Sequence, residues 1–124
     1  MASEHKVFVY GTLRPWEEGH YLPATHRMLN YKMYSAGSFP YIVPHKDSWV
    51  WGNVITVTDG DLVQLDGIEG VKNGLYTREV DRAYGLNESP MKAELCFVYV
   101  AGPLLLPNAI ESGDWEQYQR SLHG

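Results

Sequence analysis

Val7-Phe8-Val9-Tyr10-Gly11-Thr12-Leu13-Arg14 runs a short apolar strand straight into a glycine turn. Four strand formers in succession read as a buried strand. Gly11, with no Cβ, lets the backbone N–H groups that follow converge on a carboxylate or an oxyanion. On their own the same residues also describe an ordinary strand and tight turn. Their counterpart lies far along the chain, in the acidic segment Leu65-Asp66-Gly67-Ile68-Glu69-Gly70.

Outward from Val7, strand signals dominate, and Gly and Pro interrupt them at short intervals. Val50 to Val57 alternates large apolar with smaller or polar residues, Tyr76 to Val80 alternates again, and Leu95 to Val100 is nearly all strand formers. Thr58 or Asp59 caps a helix whose apolar positions are Leu62, Leu65 and Ile68, and Gly67 and Gly70 close it, so Glu69 falls at its end. A second helix follows Ser112 or Asp114, with Trp115, Tyr118 and Leu122 at helical spacing, and is expected to pack on the sheet edge. The stretch His20 to Leu29 reads as a loop or short helix, with Tyr21, Met28 and Leu29 on one face and Pro23 in a first turn. Gly37-Ser38-Phe39-Pro40, Val71-Lys72-Asn73-Gly74 and Tyr84 to Pro90 are turn-rich connections.

A length of 124 residues and a 44% hydrophobic content suit one domain, residues 1–124, with one core. A formal net charge of −5 argues against nucleic acid, for which a basic face is needed. The apolar runs Phe97 to Val100 and Leu104 to Leu106 are too short for a membrane span. One cysteine, Cys96, makes no internal disulfide, and Met1-Ala2-Ser3-Glu4 does not open a basic and apolar leader, so the cytoplasm is the expected compartment. His5, His20, His26, His45 and His123 lack metal-site spacing, so no metal is expected. Cys96 sits in an apolar run as a core residue, and Ser38 lacks a nucleophile-elbow setting. Trp49 and Trp51, two apart, share a sheet face that is either core or pocket wall.

The Tyr10-Gly11-Thr12-Leu13-Arg14 turn is followed in order by Gly52 after Trp51, by Leu65-Asp66 with Glu69-Gly70, by Tyr76 with Arg78, and by Ser112-Gly113-Asp114-Trp115 with Tyr118. In that order and spacing, across nearly the whole chain, the sequence resembles the γ-glutamyl cyclotransferase-like proteins of the AIG2-like group. The resemblance implies an α+β fold, a small mixed β-barrel with a few short flanking helices, and a pocket beside the glycine turn. It places the family's glutamate on Glu69. Members with known activity cyclise a γ-glutamyl group to 5-oxoproline and expel an amine, with no metal or cofactor, so a small-molecule γ-glutamyl substrate is implied.

The residues suit that chemistry. Ring closure by a tethered amine draws on effective molarities of roughly 10⁵–10⁸ M when one conformer is held. A single carboxylate that takes the α-ammonium proton and returns it to the departing amine contributes about 10²–10⁴-fold, most at a pKa near neutrality. Glu69 fits that role if buried among Tyr10, Phe39 and Tyr76. The amides of Gly11, Thr12 and Leu13 are the candidate donors to a carboxylate or oxyanion, and Tyr10 and Tyr76 offer hydroxyls or serve as amphipathic core residues. Asp66 is either a dyad partner of Glu69 or, more in keeping with its place, a group satisfying N–H donors at the helix end. Arg14 either meets an anionic substrate or, as is commoner for an arginine just beyond a turn, pairs with a carboxylate at the surface, and Arg78 is expected to brace the helix end. Trp16-Glu17-Glu18 is expected to acidify the entrance loop and to favour a cationic or neutral leaving amine. The other function that fits is a non-catalytic carboxylate-binding domain of the same fold; a third uses the acid/base on a water nucleophile.

Overall fold

Alternate residues of a strand face opposite sides, and along Val7 to Tyr10 both sides are covered. Val7 and Val9 join a cluster with Leu62, Tyr76 and Tyr99. Phe8 and Tyr10 join one with Met28, Val50, Val98 and Trp115. Burial on both faces is why this strand, and Phe97 to Val100 likewise, carries an unbroken apolar run instead of an apolar and polar alternation.

The structure, a computed structural model, describes residues 3–36, 39–87, 92–102, 109–110 and 112–123. Its elements are β1 (Glu4–Val9), β2 (Trp16–Glu17), β3 (His20–Tyr21), β4 (His26–Ser35), β5 (Pro40–Thr58), α1 (Asp59–Ile68), β6 (Tyr76–Gly85), β7 (Ala93–Ala101), β8 (Ala109–Ile110) and α2 (Trp115–His123). Six strands form a mixed sheet in the order β5-β1-β7-β6-β4-β8, and β4 pairs with β5 as well, which joins the first strand of that order to the fifth. The pairings are antiparallel except β1 with β7, where Val7 meets Phe97. This is the small mixed α+β fold expected from the sequence.

The path from β5 into α1 positions the site. Thr58, the last residue of β5, pairs with Glu4 at the start of β1 and is also the N-cap of α1. Its hydroxyl accepts from the Asp61 amide at 3.2 Å, and Asp61 accepts from the Thr58 amide at 3.2 Å, a reciprocal capping box. Ten helical residues then cover about 15 Å, packing Leu62 and Leu65 on β1, and bring Glu69 back beside the far end of that strand, where the glycine turn begins. Ile68 is not a core position as expected: it is 70% exposed.

Three further expectations need correction. Within residues 20–29 the loop reading holds for 22–25, which connect β3 to β4, whereas 20–21 are β3, 26–29 start β4, and no helix forms. Farther along β4 a bulge shifts the β4–β5 register between Leu29 and Tyr31, and buried positions pass from Met28 to Tyr31 and Met33. Asn30 and Asp47, both at positive φ, face each other across it, the Asp47 amide donating to Asn30 Oδ1 at 3.3 Å. The strand expected over Val50 to Val57 begins at Pro40, its first half concealed by the polar, exposed residues 45–47. Tyr84 and Gly85 belong to β6 and not to a connection, and the expected turns at Gly37-Ser38 and Glu88 to Pro90 lie outside the described residues.

The C-terminal helix starts where expected. Asp114 Oδ1 accepts from the Gln117 amide at 3.2 Å, the Trp51 amide donates to Gly113 O at 3.0 Å, and Trp115 is 2% exposed within the core. Leu122, expected on the packed face, is exposed. Trp49 and Trp51 are wall and not core: they line a shallow hollow with Lys32 and Asp47, and Arg27 lies 5.5 Å over the Trp49 ring. Cys96 is buried in the core, where burial pushes its thiol up to about 11. No helix among the described residues is long and apolar enough to cross a membrane.

Candidate active site

Beyond Val9 the chain leaves the sheet and turns. The Arg14 amide donates to Gly11 O at 3.0 Å, closing a turn whose central residues are Thr12 and Leu13. Among the described residues, the amides of Gly11, Thr12 and Leu13 have no protein acceptor. Gly11 is required for a reason the sequence does not disclose. A Cβ there would run into the ring of Pro40, 2.7 Å from Cδ and closer still to Cγ, so the glycine lets the turn lie flat on the first residue of β5.

Glu69 is the C-cap of α1, its amide donating to Leu65 O at 2.8 Å. Gly70 follows in the left-handed region at φ +64°, with no room for a side chain because Leu75 Cδ1 stands 2.7 Å from where a Cβ would lie. That sharp exit ends the helix on Glu69. Glu69 and the turn residues Gly11, Thr12 and Leu13 line one cavity of about 230 Å³, together with Phe39, Tyr76 and Tyr99. The residues expected from sequence are therefore brought together: Tyr10, Gly11, Thr12, Leu13, Glu69 and Tyr76 all border this space.

Its electrostatics follow from composition. No lysine, arginine or histidine is among the lining residues. Burial alone pushes the Glu69 carboxyl up to about 7, and its place at the negative end of a helix works in the same direction. Burial first, then neighbouring Tyr76 and Glu69, holds the Tyr10 phenol far above its ordinary value; Tyr76 is raised likewise by burial and by Glu69. Both phenols stay neutral, and both donate to backbone: Tyr10 Oη to Tyr99 O at 2.5 Å, Tyr76 Oη to Pro40 O at 2.7 Å. Their donors are spent on the scaffold, so each is left only an accepting lone pair for a guest.

Asp66 is not the second carboxylate of a dyad, nor does it satisfy amides at the helix end. It accepts from Arg78 Nη1 at 2.6 Å and from Tyr99 Oη at 2.7 Å, outside the cavity lining. Arg78 thereby braces α1 against β6 and β7, with its guanidinium 4.8 Å from the Phe97 ring centroid, and does not neutralise Glu69. Arg14, expected at the surface, is 4% exposed. Glu17 and Glu18 lie in the exposed β2–β3 hairpin and do not line the cavity, which removes the argument for an acidic entrance. Sequence reasoning passed over Pro40, Leu75 and Tyr99. Tyr99 carries no separate signal, since it sits within the same apolar run as its core neighbours.

The family model for gamma-glutamyl cyclotransferase, AIG2-like, matches residues 7–117. The gamma-glutamylcyclotransferase family protein YtfP of Escherichia coli strain K12 is 31% identical over 116 residues, covering 89% of this chain and 95% of its own. The crystal structure of an AIG2-like protein from Mus musculus superposes with a TM-score of 0.63 at 25% identity, over 88% of this chain and 89% of that one. A solved gamma-glutamyl cyclotransferase shares the fold at 21% identity, with a TM-score of 0.59 over 87% of this chain and 69% of that one. Because the family match runs from β1 into α2 and takes in every element that frames the cavity, the chain belongs to the gamma-glutamyl cyclotransferase, AIG2-like family.

Proposed function

We propose that this protein cyclises the γ-glutamyl group of a γ-glutamyl amine or γ-glutamyl amino acid to 5-oxoproline, releasing the amine in the cytoplasm, with Glu69 as general base and then general acid. The observation that carries this is one cavity lined both by half-buried Glu69 and by turn residues whose amides have no protein acceptor among the described residues. The amides of Gly11, Thr12 and Leu13 hold the substrate's carboxylate or the oxyanion that forms at its γ-carbonyl. Ionised Glu69 removes a proton from the α-ammonium. The freed nitrogen attacks the γ-carbonyl carbon, a C–N bond closes the five-membered ring, and the carbonyl oxygen gathers negative charge. Glu69 then passes that proton to the departing nitrogen and the original C–N bond breaks; ionised again, Glu69 takes the second proton from the ring nitrogen and hands it to the released amine, leaving 5-oxoproline and the amine as its ammonium ion. Acid/base relay and enforced ring closure are enough for this sequence of steps.

The lining also bears on the leaving group. The α-carboxylate of a departing amino acid lies one carbon from the scissile nitrogen, beside Glu69 and with no cation among the lining residues to meet it. The mouth instead offers Leu75 and exposed Ile68. Amines without a neighbouring carboxylate are thus favoured. The test is a panel of γ-glutamyl amines and γ-glutamyl amino acids, with 5-oxoproline as the product measured. Tight binding of a small acid with no product from any member would assign the chain to carboxylate binding instead.

A further inference from the structure

Arg14 does not line the cavity, yet it belongs to the turn that does. Its amide closes the turn on Gly11 O, its Nε donates to Asn53 Oδ1 at 2.9 Å, and its Nη2 donates to Leu22 O at 2.9 Å. Asn53 in turn donates to Pro23 O at 3.0 Å. One side chain therefore ties the turn to β5 and to the segment before β4. Its charge is met by the Tyr21 ring, 5.4 Å from the guanidinium carbon to the centroid, but by no close carboxylate. Nη1 is buried and donates no hydrogen bond among the described residues. The carboxylate paired with it, Asp114 Oδ1, stands 3.8 Å away, is one-third exposed, and already accepts from the Gln117 amide at the start of α2. A buried cation so loosely matched is costly, and an apolar side chain of similar volume often fills such a place at no loss of stability. Packing alone does not account for it.

Given the anion-binding role proposed above for the turn, on which this rests, we propose that Arg14 is a positioning residue whose incompletely matched charge, fixed behind the turn, raises the anion affinity of the Gly11, Thr12 and Leu13 amides. Asp114 is the counter-charge that moderates it. Charge acts through the poorly solvated interior without contact, so the guanidinium need not reach the guest.

The experiment is an NMR titration of the full chain with 5-oxoproline and, separately, with glutarate, following the amides of residues 11–13. Both probes are expected to shift them. Arg14→Gln is expected to weaken binding about five- to ten-fold, and Arg14→Lys, which keeps the charge without the planar fork, to recover part of the loss. Asp114→Asn still caps α2 and is expected to tighten binding about two-fold by unmasking the charge. The opposite signs matter, because damage to a mere scaffold weakens binding in both variants. Unchanged affinity in Arg14→Gln, weaker or unchanged binding in Asp114→Asn, or no response of the turn amides in the native chain each overturns the proposal. Should Arg14→Gln fail to fold, Asp114→Asn carries the test alone. Probe binding at the turn with no 5-oxoproline released from any γ-glutamyl compound leaves the role of Arg14 standing and removes the proposed reaction.

Discussion

At the scale of single residues, Glu69 carries both a chemical requirement and a stability cost, and the two have opposite pH dependence. As a base it must be ionised, so kcat/KM is expected to rise with pH through an inflection near the carboxyl value of about 7 and then level off. A limb near the ordinary glutamate value of 4.5 would mean that burial does not raise this carboxyl. For stability the sign reverses. The folded state holds this proton more tightly than the unfolded chain, so between 4.5 and about 7 the native protein loses stability as pH rises, and the whole cost is present above that window. Glu69→Gln is therefore expected to stabilise the protein by about 1–2 kcal/mol in urea unfolding at about pH 8 and to be neutral at about pH 4. Glu69 was legible in the sequence because a capping residue and a stop glycine bracket the helix that ends on it. Arg14 was not, since charge is visible in a sequence and burial is not: the same arginine after a turn reads as a surface group until Asn53, Leu22 and Asp114 are seen around it.

At the scale of elements, local signals were readable where one residue has one mechanical job. The Thr58 cap of α1 is such a case, and Thr58→Ala is expected to cost about 1 kcal/mol of stability, measured by thermal or urea unfolding, with the ring-closing step unchanged. The glycine turn was readable in kind but not in cause, because the neighbour that forbids a side chain at position 11 is Pro40, twenty-nine positions on, a proximity no local pattern encodes. Gly11→Ala is expected to cost about 1–3 kcal/mol through that collision and to abolish turnover, because the donors move with the backbone. Turnover retained in a stably folded Gly11→Ala protein would show that the turn amides do not hold the substrate. The strand parts of residues 20–29 were not legible for a physical reason. Period two is the mark of a strand, and the two residues of β3 and the first four of β4, parted by the 22–25 connection, are too few to display it.

At the scale of the whole molecule, the site is a meeting of remote segments held by the sheet order. The turn after β1, the end of α1 and the start of β6 face one space because β1 lies between β5 and β7, and β7 beside β6. Strand identities along the apolar runs were legible, whereas that order was not, since it depends on pairings such as Val7 with Phe97 that leave no mark in sequence spacing. The fold expectation came from several motifs recurring in one order. Trp115, sealed inside the core at the end of the matched region, shows how far the fold depends on its last helix. Trp115→Ala is expected to cost about 3–5 kcal/mol, read as a large loss in thermal midpoint. The most direct measurement is the release of 5-oxoproline from γ-glutamyl amines by the native protein and by Glu69→Gln, each shown to be folded. Product from the native chain and a loss of about a hundred-fold or more in the variant is the expected result; equal product from both contradicts it.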